Sequence, residues 1–266
     1  MIYCIIIIII ILLLIFIKPK YYEKFNSSIT IINLVLYSNN DEYNEMYKLT
    51  KSYYKKFNNV KTIYYKFDEN IRDDYELNDY ILNIKGSETF IPGILDKTIK
   101  AFKFINDNYK FDYVIRSNIS TIIDFNLLTK YLENNYTDYG GGMKLSLYKI
   151  ETSYGIHDST YFGTEYASGT SIIISRKVIE NIINNQNKLL YTFIDDVALG
   201  IYISNNINNI IIKYVPNEHL VMVHDYVDQS KLIDDIKNKQ YIFYRNRQDD
   251  RKKDVLQMKT IINSIY

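Results

Sequence analysis

The sequence has no tryptophan, one cysteine, three prolines and three histidines in 266 residues. A lone cysteine, Cys4, excludes an internal disulfide framework and any multi-cysteine zinc site. The histidines, His157, His219 and His224, form no His-x-x-x-His pair and stand near no cysteine, so that ligand spacing is missing too. There is no Gly-x-Gly-x-x-Gly turn, no Walker loop and no Gly-x-Ser-x-Gly elbow. These absences disfavour Rossmann dehydrogenases, kinases and serine hydrolases. Gly140-Gly141-Gly142 lacks a following Lys-Ser/Thr and opens no predicted helix, so it does not read as a phosphate cradle. Charge of one sign is lacking as well: 32 basic and 31 acidic side chains leave +1. A dedicated nucleic-acid binder normally carries a basic excess, and no nucleic-acid partner is expected.

What is present is a folded chain, 47 % hydrophobic and 24 % charged. The length allows one or two domains at roughly 100–200 residues each. Tyrosine is abundant, 28 residues, alongside many Ile, Asn and Lys. This is the signature of an AT-rich genome, so a Tyr or Asn cluster alone weighs little as a functional signal. Residues 2–17 carry no charge and no helix breaker, and Lys18-Pro19-Lys20 ends the run. As a helix it would span roughly 24 Å, slightly short of a bilayer core. A buried core element, a cleaved signal peptide and an uncleaved anchor are the readings. No basic segment precedes the tract and no Ala-x-Ala site follows it, which favours a single-pass N-terminal signal anchor in the membrane. Lys18 and Lys20 are too few to fix which side the body faces. Residues 18–28 read as a short stem and 29–266 as the catalytic-sized body.

In the body, Ile29 to Tyr37 is a nearly continuous apolar run, as expected of a strand buried on both faces. A helix follows over Asp41 to Phe57, with Asp41 as its N-cap, and then a strand from Val60 to Phe67. This βαβ order opens many nucleotide-binding sheets. Residues 68–90 read as polar and irregular. Helical spacing predicts a helix over Pro92 to Asn108 and another from Asp124 to Asn134, with a strand at Phe111 to Ile115 between them. Residues 135–166 read as loops and edge strands. Ser171 to Ser175 is a strand, Arg176 to Asn185 a helix, and Asp195 begins a helix over Val197 to Ser204. Strands are expected at Ile210 to Val215 and Leu220 to Val223, and a partly helical charged tail from Ser230 onward. The fold class is α/β with a mostly parallel central sheet.

Three segments, in order, carry chemistry. Phe111 to Ser120 delivers Arg116, Asn118 and Ser120 to the C-terminal end of a strand, where open α/β sheets bind ligands. Ser168-Gly169 offers small residues for close approach, to a ligand or to a packed backbone. Asp195-Asp196 is either a helix cap with a first-turn acid or a partly buried base of raised pKa.

From about Lys85 to Gly200 this order resembles the Fringe and β-1,3-galactosyltransferase type of GT-A glycosyltransferase. The segment Leu95-Asp96-Lys97-Thr98-Ile99-Lys100-Ala101 matches the family's helix before the metal-binding strand. Tyr166-Ala167-Ser168-Gly169 matches its sugar-pocket segment, and Asp195-Asp196-Val197 with Gly200 its catalytic-base motif. The resemblance implies a single GT-A, Rossmann-like domain behind the anchor, acting as an inverting hexosyltransferase. The donor would be a nucleotide sugar, of UDP type, and the acceptor a hydroxyl of a glycan or glycoprotein. Asp196 would be the base, with Asp195 orienting it or binding the acceptor. Ser38, Asn39 and Asn40, at the end of the first strand, would contact the nucleotide. Arg116, Asn118 and Ser120 would lie near the diphosphate, and Ser168 and Gly169 near the sugar. The family's Asp-x-Asp, which holds Mn²⁺ or Mg²⁺ on the diphosphate, is replaced here by Asn118-Ile119-Ser120. Hard cations prefer carboxylate oxygens. Either the metal is held otherwise, with His224 standing where a late histidine ligand falls, or cationic groups neutralise the diphosphate, or catalysis is lost. In the last case the domain would be a silent glycan- or protein-binding module.

Overall fold

The computed structural model describes residues 29–223 and 228–265. The predicted anchor, the stem and His224 lie outside the described residues. Among those described, no helix is long and apolar enough to cross a membrane.

The chain forms a mixed α/β fold on a seven-stranded, mostly parallel sheet. Strand β1 (Ile31–Leu36) leads through helix α1 (Asp41–Tyr54) to β2 (Val60–Asp68), which pairs parallel to β1. Asn40, not Asp41, caps α1: its side chain accepts the Tyr43 N–H at 2.7 Å. The expected irregular stretch contains a hairpin instead, β3 (Tyr75–Asn78) and β4 (Ile81–Lys85). Asp79, at φ 57°, makes its turn. A hairpin this short gives too few alternating positions to show a period, and its outer strand is half-exposed. Helix α2 (Gly93–Asn108) crosses over to β5 (Tyr113–Asn118), parallel to β1.

The next strand, β6 (Thr121–Ile123), precedes α3 (Phe125–Asn134), whose N-cap Asp124 accepts the Asn126 and Leu127 N–H groups. Strand β7 (Tyr139–Gly141) closes one edge of the sheet. A small antiparallel pair follows, β8 (Lys144–Ser146) with β9 (Glu165–Ala167). Strand β10 (Ser171–Ser175) runs antiparallel between β5 and β7, and is followed by α4 (Arg176–Asn184) and α5 (Asp195–Asn206). The sheet order is β3-β4-β2-β1-β5-β10-β7.

Residues Ile210 to Val215 form no strand of their own. One parallel bridge, Tyr139 to Ile212, and hydrogen bonds such as Lys213 N to Tyr139 O lay them along β7. The remainder holds β11 (Leu220–Met222), α6 (Gln229–Asn238), β12 (Phe243–Arg245) and α7 (Arg251–Ile265). Strands β11, β12 and β6 make a second, three-stranded sheet in which β12 pairs antiparallel to β6.

Alternation along the strands explains the layers. Ile31, Val35, Tyr113, Ile115 and Ile173 face one core with α1, α3, β12 and α7. Ile32, Leu34, Val114, Ile172 and Ile174 face the other, under α2, α4 and α5. Both faces are covered, which is why β1 reads as an unbroken apolar run apart from Asn33. Asn33 is fully buried, and its amide group donates to Thr62 Oγ1 while its oxygen accepts from Ser117 Oγ.

The triple glycine is a packing device. A Cβ on Gly140 would fall onto the carbonyl oxygen of Lys213, in the backbone that runs beside β7. Replacing Gly140 by Ala therefore overpacks a backbone contact and should destabilise by about 1–3 kcal/mol. Thermal unfolding of Gly140→Ala should show a Tm several degrees below that of the native chain.

Candidate active site

The parallel strands β4, β2, β1 and β5 end at one edge of the sheet, and Asn118 is the last residue of β5. Because Ser171 at the start of β10 pairs with Ser117, the turn Ser168-Gly169-Thr170 reaches the same edge. Helix α5 packs over this region and brings Asp195 and Asp196 in its first turn. Its N-cap is Ile194, which supplies no side-chain bond, so neither aspartate caps the helix.

Arg116 ties these pieces together. The β-strand alternation points it to the α2–α5 side, where it is 2 % exposed. Its Nη2 meets Asp195 Oδ2 at 2.6 Å, and Nη1 donates to Gly169 O at 2.5 Å and Asn118 Oδ1 at 2.9 Å. Burial would lower the guanidinium pKa, but Asp195 foremost, with Tyr65 and Asp196, raises it above its ordinary value. Tyr65, hydrogen-bonded to Thr98 at 2.8 Å, lies in the same polar layer, and burial pushes its phenol up to about 12. Lys97, 2 % exposed, closes the layer from α2 through an ion pair to Glu88 at 2.5 Å. Burial lowers its pKa in spite of that partner.

Asp196 sits differently from its neighbour. Its Oδ2 accepts the Gly169 N–H at 2.8 Å and its Oδ1 the Val197 N–H at 2.9 Å, and it opens onto a cleft of about 420 Å³. Burial first, and the Asp195 carboxylate second, raise its pKa to about 6. The helix dipole and both amide bonds favour the anion, so burial is the larger effect.

Of the residues named from the sequence, Asn118, Ser168, Gly169 and Asp196 line this cleft together. Arg116 and Asp195 lie buried behind it, paired to each other. Ser120 is buried too, and its Oγ accepts from Arg245 Nη1 at 2.7 Å. Ser38, Asn39 and Asn40 follow β1 at the same sheet edge but do not line the cleft, and Asn40 is the α1 cap.

Three arginines that the sequence reading passed over also line the cleft: Arg245, Arg247 and Arg251. They arrive from β12, the loop after it and α7, on the face of the sheet opposite α5. Pairing of β12 with β6 sets Arg245 opposite Thr121, and Asn246 fixes the strand by donating N and Nδ2 to Ser120 O at 3.0 and 3.2 Å. The one available signal was the spacing Arg-x-Arg-x-x-x-Arg directly after the apolar Tyr241 to Tyr244.

A divalent cation does not fit the residues at this edge. The Asn118 and Ser120 oxygens, which stand where the resembled family places carboxylates, are taken by Arg116 and Arg245. Asp195 is ion-paired to Arg116. Among the described residues no group of three or more His, Cys, Asp or Glu side chains could hold a metal.

No protein-family model and no curated protein matches this chain. Solved structures with a similar course include the inositol-1-phosphate CTP transferase from T. maritima, at 9 % identity and TM-score 0.47 over 89 % of this chain and 98 % of that one. The galactosyltransferase LgtC, in complex with donor and acceptor sugar analogs, gives 12 % and 0.41 over 87 % and 95 %. The glycosyltransferase GlyE of Streptococcus pneumoniae TIGR4 gives 11 % and 0.39 over 89 % and 62 %.

Removing one member of a buried ion pair leaves the other charge uncompensated, at a cost of about 3–5 kcal/mol. Arg116→Met should lose about that much in denaturant unfolding, whereas Arg116→Met with Asp195→Leu should recover most of it. A double-mutant cycle on these variants reads the coupling directly.

Proposed function

We propose that this chain is a nucleotide-sugar-dependent, inverting glycosyltransferase of GT-A type, related to the Fringe and β-1,3-galactosyltransferase enzymes and held at a membrane by residues 2–17. The observation that carries this reading is one cleft with a carboxylate of pKa about 6 on one side and three guanidinium groups on the other. That pairing suits a reaction in which a hydroxyl loses a proton while a phosphate ester departs.

Asp196 accepts the proton of the acceptor hydroxyl. The oxygen then attacks the anomeric carbon from the side opposite the diphosphate. The new C–O bond forms as the old one breaks, and its electron pair leaves with the diphosphate, so the configuration inverts. Asp195 keeps Arg116 neutralised behind the site, and Arg116 in turn holds the Gly169 turn against Asp196. Asn118, its oxygen engaged by Arg116, presents its amide N–H groups toward the donor.

The acceptor side is aromatic. Phe90 and Tyr148, 50 % and 72 % exposed, line the cleft with Tyr154 and Tyr166. Such rings offer flat apolar faces to a sugar, consistent with a glycan or glycoprotein acceptor, and the family resemblance implies a UDP-type donor.

A positioned general base contributes about 10²–10⁴ in rate. Asp196→Asn should lower sugar transfer by that factor while donor binding stays within about twofold, as read by initial rates and by titration calorimetry. The base works deprotonated, so kcat should fall as pH drops through about 6. Transfer retained in Asp196→Asn would rule the mechanism out.

A further inference from the structure

The charge around Arg245 is not balanced by the residues that hold it. The side chain is 7 % exposed, and its hydrogen-bond partners are two hydroxyls, Ser120 Oγ at 2.7 Å and Thr121 Oγ1 at 3.5 Å. Burial first, then Arg251 and Arg247, lower its pKa to about 10, with Asp254 and Tyr43 opposing. Arg251 meets Asp254 Oδ2 at 2.5 Å, and Arg247 is exposed and makes no ion pair among the described residues. Among the described residues, Asp254 is the one carboxylate ion-paired to these three guanidinium groups at the wall of the cleft. A buried cation without a counter-ion is costly, and like charges held side by side add to the cost. Such an arrangement persists where an anion completes it.

The diphosphate of a sugar nucleotide carries two negative charges near neutral pH, and arginine forks bind phosphate oxygens in pairs. We propose that Arg245, Arg247 and Arg251 form a metal-independent diphosphate site, its ligand identified as the donor's diphosphate on the strength of the nucleotide-sugar reading. The arginines take over the neutralisation that a divalent cation performs in Asp-x-Asp enzymes. As the glycosidic bond breaks, its electron pair adds negative charge to the β-phosphate oxygen. Guanidinium groups already fixed by Ser120 and Asp254 stabilise that charge without rearranging.

The test titrates inorganic pyrophosphate, and separately UDP, into the full chain in detergent, first in EDTA and then with excess Mn²⁺ or Mg²⁺. Both should bind in EDTA, and neither should bind more tightly with metal. Arg247→Ala removes an exposed side chain and should keep the native Tm, yet weaken both ligands by about tenfold, the loss expected of one charge-assisted bond. Arg245→Lys keeps the charge but not the fork and should also weaken both. Binding that requires the metal, or wild-type affinity in both variants, overturns the inference while leaving the glycosyltransferase reading in place. Pyrophosphate binding in EDTA that responds to both variants, in a protein without UDP affinity or sugar transfer, upholds the anion site and removes the nucleotide-sugar reading.

Discussion

A guanidinium group taken out of water needs partners for its charge and its donors, and the two terminal nitrogens of Arg116 find theirs on three separate pieces of chain. Asp195 comes from α5, Gly169 from the turn before β10, and Asn118 from the end of β5. The interaction fixes those pieces to one another where the sheet ends. It also separates the two neighbouring aspartates into different roles. Asp195 spends its charge on Arg116, whereas burial first and its neighbour's charge second push Asp196 toward neutrality, against its two amide N–H partners.

The far side of the cleft follows the opposite rule. There Arg245, Arg247 and Arg251 gather beside Asp254, and their local field favours an anionic ligand. Asn118 and Ser120, neutral where the resembled family carries carboxylates, are consistent with that field. An aspartate at 118 would compete with Asp195 for Arg116, and one at 120 would neutralise Arg245 and take it from the cleft.

Much of the central sheet was legible because both its faces are buried. Ile31 to Leu36 and Ser171 to Ser175 are too apolar to be anything but interior, and α2 and α3 announce themselves by spacing and by the Asp124 cap. Strands of three residues such as β6 and β12 carry no periodicity, so their pairing is decided by packing alone. The site divided along the same line. Asp196, Asn118 and Gly169 sit in segments whose order along the chain is itself a pattern. Arg245 reaches the cleft through a strand pairing with Thr121, 124 residues away, which no local reading of a charged segment reveals.

That separation also sets an order in time. Everything needed for the Arg116 junction lies between β1 and α5, in the part of the polypeptide that leaves the ribosome first. Long-range pairings form late, since the intervening loop must be closed before any contact rewards it. A nascent chain can thus form the buried Arg116–Asp195 ion pair while the arginine wall of the cleft is still missing. The arginine wall of the cleft is then completed by the pairing of β12 with β6.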